Sequence, residues 1–166
     1  MKRVYYRSDN PAFRHETNDC AVIALTNATG CYYHEAHALL KANGRQDGEA
    51  TYMFGELLDR SLLPNNKRAK RLDKSRHQFM ESDPGAIRRR AWKSGHDVDT
   101  DPFDPYFSKP FRKDMTLSRF AKENPKGTFI LGVHNHACVI KDGVLYDNRP
   151  QSRARIHRAH EILDAD

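Results

Sequence analysis

A cysteine, a histidine and an aspartate are enough to build a thiol nucleophile, and the chain offers one of each in Cys20, His136 and Asp147. Cys20 lies in the stretch Asn18-Asp19-Cys20-Ala21-Val22-Ile23-Ala24-Leu25-Thr26-Asn27-Ala28-Thr29-Gly30. Asn18 or Asp19 suits an N-cap, residues 21–28 are almost all small or apolar, and Gly30 is a natural terminator. These signals predict a short buried helix with Cys20 in its first turn. A thiol there faces backbone N–H groups that lack helical partners and the positive end of the helix dipole, both of which favour thiolate. A lone cysteine in such a place is more often inert packing, so its partners decide the matter.

Those partners come from a hairpin. His136-Ala137-Cys138-Val139-Ile140 and Val144-Leu145-Tyr146-Asp147 are β-rich runs joined through Lys141-Asp142-Gly143. An Asp-Gly pair between such runs signals a two-residue turn. That turn sets Lys141 against Val144, Ile140 against Leu145 and Cys138 against Asp147. Side chains alternate along a strand, so His136, Cys138 and Ile140 share a face with Asp147, which is diagonal to His136. Diagonal neighbours lie roughly 7–8 Å apart, within reach of a carboxylate and an imidazole. Asn148 points the other way.

The expected roles follow from the chemistry of acyl transfer. Cys20 is the nucleophile, His136 the general base and later acid, and Asp147 the group that holds the imidazole. The Cys20 backbone N–H and the Asn18 amide are the candidate oxyanion donors. His134 is an alternative base. His134, His136 and Cys138, with Asp147 opposite, could also bind zinc, although three alternating residues are a weak signature. The hydrolase reading calls for no metal and no cofactor. Cys138 is expected as a small core residue, Cys31 as packing or surface, and His34 and His37 as a solvated or half-buried helix face.

The combination Asn18-Asp19-Cys20-Ala21-Val22-x-Ala24-Leu25, then Thr29-Gly30-x-Tyr32-Tyr33-x-Glu35-Ala36, resembles the N-terminal helix region of papain-like cysteine peptidases. It is most similar to small phage- and bacteria-encoded members related to the bacteriocin-processing peptidases. Phe120-Ala121-x-x-Asn124-Pro125-x-Gly127, and Asn135 through Asp147, are similar to that group's His- and Asp-bearing strands. The resemblance spans about residues 16–62 and 114–157 and implies a papain-like α+β fold. It also implies a Cys20–His136–Asp147 triad. The family's oxyanion glutamine precedes the cysteine by a few positions, where this chain carries Arg14, which leaves Asn18 as the nearest amide.

Positioning these residues falls to a single domain of 166 residues, with helices first and strands after, an α+β order. After the Cys20 helix, helices are expected over 33–44, 52–62 and 116–124, the last capped by Thr116. Strands are expected at 3–6, 128–133 and along the hairpin, with an edge strand at 154–156 and a loose helix at the end. Between them, residues 65–112 read as a basic, irregular insertion, with a short helix around 86–93. It carries Lys67, Arg68, Lys70, Arg71, Arg88, Arg89 and Arg90.

Apolar residues make up 38% and charged residues 30%, with a net charge of +6, so an acidic partner is the natural expectation. Three cysteines without paired spacing argue against a disulfide framework. The expected substrate is a protein or peptide, and the expected setting is a host cytoplasm or a virion, with no standard secretion signal and no membrane span. Nucleic-acid binding is weakly supported, because apart from Trp92 the aromatic residues are not interleaved with the basic ones in a stacking pattern. The rival to the enzyme is a decayed papain-like fold, acting as a virion or host-binding protein through the basic insertion.

Overall fold

Strand order, more than any one helix, decides where the three candidate residues stand. The computed structural model describes residues 2–5, 16, 18–49, 51, 54–73, 115–133, 136–147 and 153–165. Ten main elements are described. In chain order they are β1 (Lys2–Tyr5), α1 (Cys20–Thr29), α2 (Tyr33–Ala42), α3 (Phe54–Arg60), β2 (Lys67–Arg71), α4 (Leu117–Glu123), β3 (Thr128–Val133), β4 (His136–Lys141), β5 (Val144–Asp147) and β6 (Arg158–Asp164). The strands form one sheet in the order β1-β5-β4-β3-β6-β2. Every pairing is antiparallel except that of β1, which adds to β5 in parallel. The fold is α+β, with helices on both faces of the sheet.

Alternation along the strands builds two apolar layers. On one face Ile130, Val139 and Ile162 pack with Val22, Leu25, Leu40 and Leu58 from α1, α2 and α3. On the other, Leu131, Cys138, Ile140, Leu145 and Ala159 pack with Leu117 and Phe120 of α4 and with Met115 and Ile156. Phe120 and Phe129 meet edge to face at 5.0 Å, the arrangement their ring quadrupoles favour. Val22, Leu25 and Leu40 are fully buried, so α1 is held by its whole apolar length. Gly30 ends it in a left-handed conformation and donates its N–H to Thr26 O. Thr116 caps α4 by accepting from Arg119 N–H.

The β4–β5 turn has positive φ at both Asp142 and Gly143, the twist a two-residue hairpin needs. The resulting register pairs Lys141 with Val144 and Ile140 with Leu145.

Three local expectations are corrected. The basic segment at 67–71 is not irregular: it is β2, paired with β6 from Lys67↔Asp164 to Arg71↔His160. Two of its four charges are met by acids, with Lys67 on Asp164 and Arg71 on both Asp59 and Asp73, while Arg68 and Lys70 are exposed. The chain end is not a helix either. β6 lies between β3 and β2, and its buried His160 is bonded to Asp59 at 2.8 Å. At 154–156 there is a single bridge, Thr116↔Arg155, rather than an edge strand. From residue 74 on, the expected insertion, with Arg88, Arg89 and Arg90, lies outside the described residues, as do Arg14, His134, Asn135 and Asn148.

Among the described residues no helix is long and apolar enough to cross a membrane.

Candidate active site

His136 is the first residue of β4, Asp147 the last of β5, and Cys20 the first of α1. The hairpin turn is at the opposite end, so pairing Lys141 with Val144 carries His136 and Asp147 to the same open end of the ribbon. β1 extends to that point too, where Tyr5 pairs with Asp147 through the backbone.

His136 Nε2 is 2.5 Å from Asp147 Oδ1, and the two side chains are 1% and 2% exposed. The Cys20 side chain is near enough for its hydrogen bonding and charge to act on the ring. The imidazole thus stands between a carboxylate and a thiol. Burial pulls the His136 pKa down, but the hydrogen bonds and charges of Asp147 and Cys20 outweigh it and raise the value to about 9. The ring is therefore protonated at neutral pH.

The other two thiols differ in kind. Cys31 and Cys138 are buried, whereas Cys20 is part exposed. Burial pushes the Cys31 thiol above its usual pKa, and pushes that of Cys138 well above it, with the charges of Asp147 and Cys20 adding to the latter. Both stay neutral and unreactive. No family model, curated protein or solved structure matches the chain.

The segment before Cys20 is bent. Asn18 has φ 52, in the left-handed region that asparagine tolerates. Its amide donates to Gly48 O at 3.1 Å. Asp19 occupies the N-cap without capping through its side chain; its Oδ2 instead accepts from Tyr33 OH at 2.6 Å. The first-turn N–H groups of α1, that of Cys20 among them, have no partner within the helix and remain candidates for an oxyanion.

One buried residue had no signal in the sequence. Glu16 Oε1 accepts from Arg45 Nη2 at 2.7 Å and from Gly48 N–H at 2.7 Å, and Oε2 pairs with His37 Nε2 at 2.9 Å. Its partners lie 21, 29 and 32 residues further on, too far for any local pattern to connect them. His37, expected on a half-buried face, is buried here, while His34 is exposed. Glu16, His37 and Asp47 bring three possible ligand atoms within 4.8 Å of one another. Arg45 on Glu16 and Lys41 on Asp47 already supply the positive charge there, so the group is balanced as an ion-pair network. The zinc arrangement needs His134, which is not described, and among the described residues His136, Cys138 and Asp147 do not bring their ligand atoms together as a metal would need.

Proposed function

We propose that the protein is a thiol hydrolase of papain-like type, cleaving an amide, peptide or isopeptide bond in a protein or peptide through Cys20, His136 and Asp147. The observation that carries this reading is the buried His136 ring, bonded to Asp147 and close enough to the Cys20 side chain for the two to interact. A buried imidazole joining a carboxylate to a part-exposed thiol at a helix N-terminus is the set needed to make and discharge a thiolate.

The chemistry runs in two halves. With His136 holding the proton of the pair, the Cys20 sulfur attacks the scissile carbonyl carbon. Negative charge builds on the carbonyl oxygen, where the N–H of Cys20 and other first-turn amides of α1 can receive it. As the C–N bond breaks, His136 gives its proton to the departing amine, leaving an acyl group on sulfur. Water then attacks the thioester, passing a proton to His136. The C–S bond breaks, the acid product leaves, and the thiolate–imidazolium pair returns. Asp147 fixes the ring and balances its charge throughout. The Asn18 amide, donating to Gly48 O, acts here through the shape of the bend before Cys20.

Acylation by p-nitrophenyl acetate tests the proposal without knowledge of the natural substrate. The expected result is a nitrophenolate burst of one equivalent, an acetyl group mapped to Cys20 by mass spectrometry, and slow release of acetate. Both Cys20→Ala and His136→Ala should abolish the burst. A burst that survives in Cys20→Ala, or none in the wild type, contradicts the reading.

A further inference from the structure

We propose that Glu16 is a positioning residue for Cys20, its carboxylate anchoring the approach to α1 to α2 and to the turn that follows it. The proposal rests on the thiol-hydrolase reading and concerns how that nucleophile is aimed.

Three described residues ahead of Cys20 are each tied down, and all three ties run to the same neighbouring part of the fold. Glu16 is held by Arg45, His37 and the Gly48 N–H. Asn18 donates to the Gly48 carbonyl, and Asp19 accepts from Tyr33. Gly48 therefore grips the segment twice, through its N–H to Glu16 and its C=O to Asn18, and closes a small ring around the bend. Tyr33 and His37 stand one helical turn apart on α2, with their rings 6.2 Å apart, so one helix face supplies two of the contacts.

The anchor is built of charge in a place where charge is costly. The Arg45 side chain is fully buried and that of Glu16 is 5% exposed. Burial works to raise the Glu16 pKa, but Arg45, Gly48 N–H and His37 outweigh it and hold the carboxyl at about 2, so it is ionised at neutral pH. Buried ion pairs commonly add no more stability than apolar packing of the same volume, but they do specify geometry. The geometry specified here is the direction from which the chain enters α1. That direction sets both the Cys20 sulfur and the first-turn N–H groups against His136.

The test compares the full-length wild type with Glu16→Ala, Glu16→Gln and Tyr33→Phe. Asp59→Asn serves as a control that weakens the separate His160–Asp59–Arg71 network. Amide exchange over residues 18–22 reads the anchor, and the iodoacetamide rate at Cys20 reads the aim of the thiol. The expected result for Glu16→Ala is faster exchange confined to 18–22 and alkylation slowed about tenfold, since small misplacements of reacting groups cost rates of this order or more. Glu16→Gln, which keeps an acceptor for Gly48 N–H, should restore most of the alkylation rate. Tyr33→Phe should slow alkylation a few-fold, and it keeps the measurement available if Glu16→Ala does not fold. Asp59→Asn should lower the melting temperature and change neither readout. Unchanged exchange or unchanged alkylation in the folded Glu16→Ala and Tyr33→Phe variants overturns the proposal, as does an equal effect in Asp59→Asn. A wild-type Cys20 no faster than a free thiol is a different failure: it removes the hydrolase reading, and the anchor is then judged on exchange alone.

Discussion

His136 Nε2 and Asp147 Oδ1 are 2.5 Å apart at the open end of a hairpin whose turn, Asp142-Gly143, fixes which residues can meet there. The consequence is a ring that is held in place by the carboxylate beside Cys20.

Asp147→Asn keeps the size of the side chain and removes its charge. The His136 titration midpoint, about 9 in the intact site, should fall, because its main opposing charge is gone. Acylation of Cys20 should slow by roughly two to four orders of magnitude, as expected when the ring loses its orienting acid. An NMR titration of His136 checks the first outcome and the acetate burst checks the second. An unchanged midpoint would mean that Asp147 does not support the ring's charge.

The raised His136 pKa also links stability to pH. The group binds its proton more tightly folded than unfolded, where its value is near 6.5. Its contribution is thus fully present below about 6.5, declines as pH rises, and is lost once pH passes about 9. The amount is on the order of 3 kcal/mol. Urea unfolding from pH 6 to pH 10 should show this decline, and His136→Gln should flatten it. Glu16 acts in the opposite sense. Its lowered pKa gives stability that is present above about 4.5 and lost as pH falls through about 2, so Glu16→Gln should flatten the acid limb.

Gly143 has φ 77, and a Cβ there would meet only ordinary contacts, with Ala121 O at 3.8 Å and Pro125 Cα at 3.9 Å. The cost of Gly143→Ala is therefore backbone strain alone, about 1–2 kcal/mol. Urea denaturation should report that loss, while folded protein keeps its Cys20 alkylation rate, because register rather than turn flexibility positions His136. A large drop in alkylation with the fold intact would contradict this.

The parts of the fold legible in the sequence are those where local chemistry has a single solution. Asp142-Gly143 between β-rich runs admits one register, and Gly30 after an apolar run admits one end for α1. β2 and β6 escaped notice because their compositions hide them. Lys67-Arg68-Ala69-Lys70-Arg71 reads as solvated charge until Asp59, Asp73 and Asp164 arrive from elsewhere to balance Lys67 and Arg71. In β6, His160 sits at a core position and is acceptable there only because Asp59 of α3 reaches it. The candidate triad could be read for the same reason as the hairpin. Glu16 could not, since its burial depends on Arg45 and Gly48, whose distance in sequence only the folded chain closes.

On the proposed function Cys20, paired with His136, differs in kind from the other two thiols. Timed iodoacetamide labelling of the native protein, with each cysteine quantified by peptide mass, reads that difference. The expected result is labelling of Cys20 well before Cys31 and Cys138, slowed sharply in His136→Ala. Equal labelling of all three cysteines, or a Cys20 rate unaltered by His136→Ala, would overturn it.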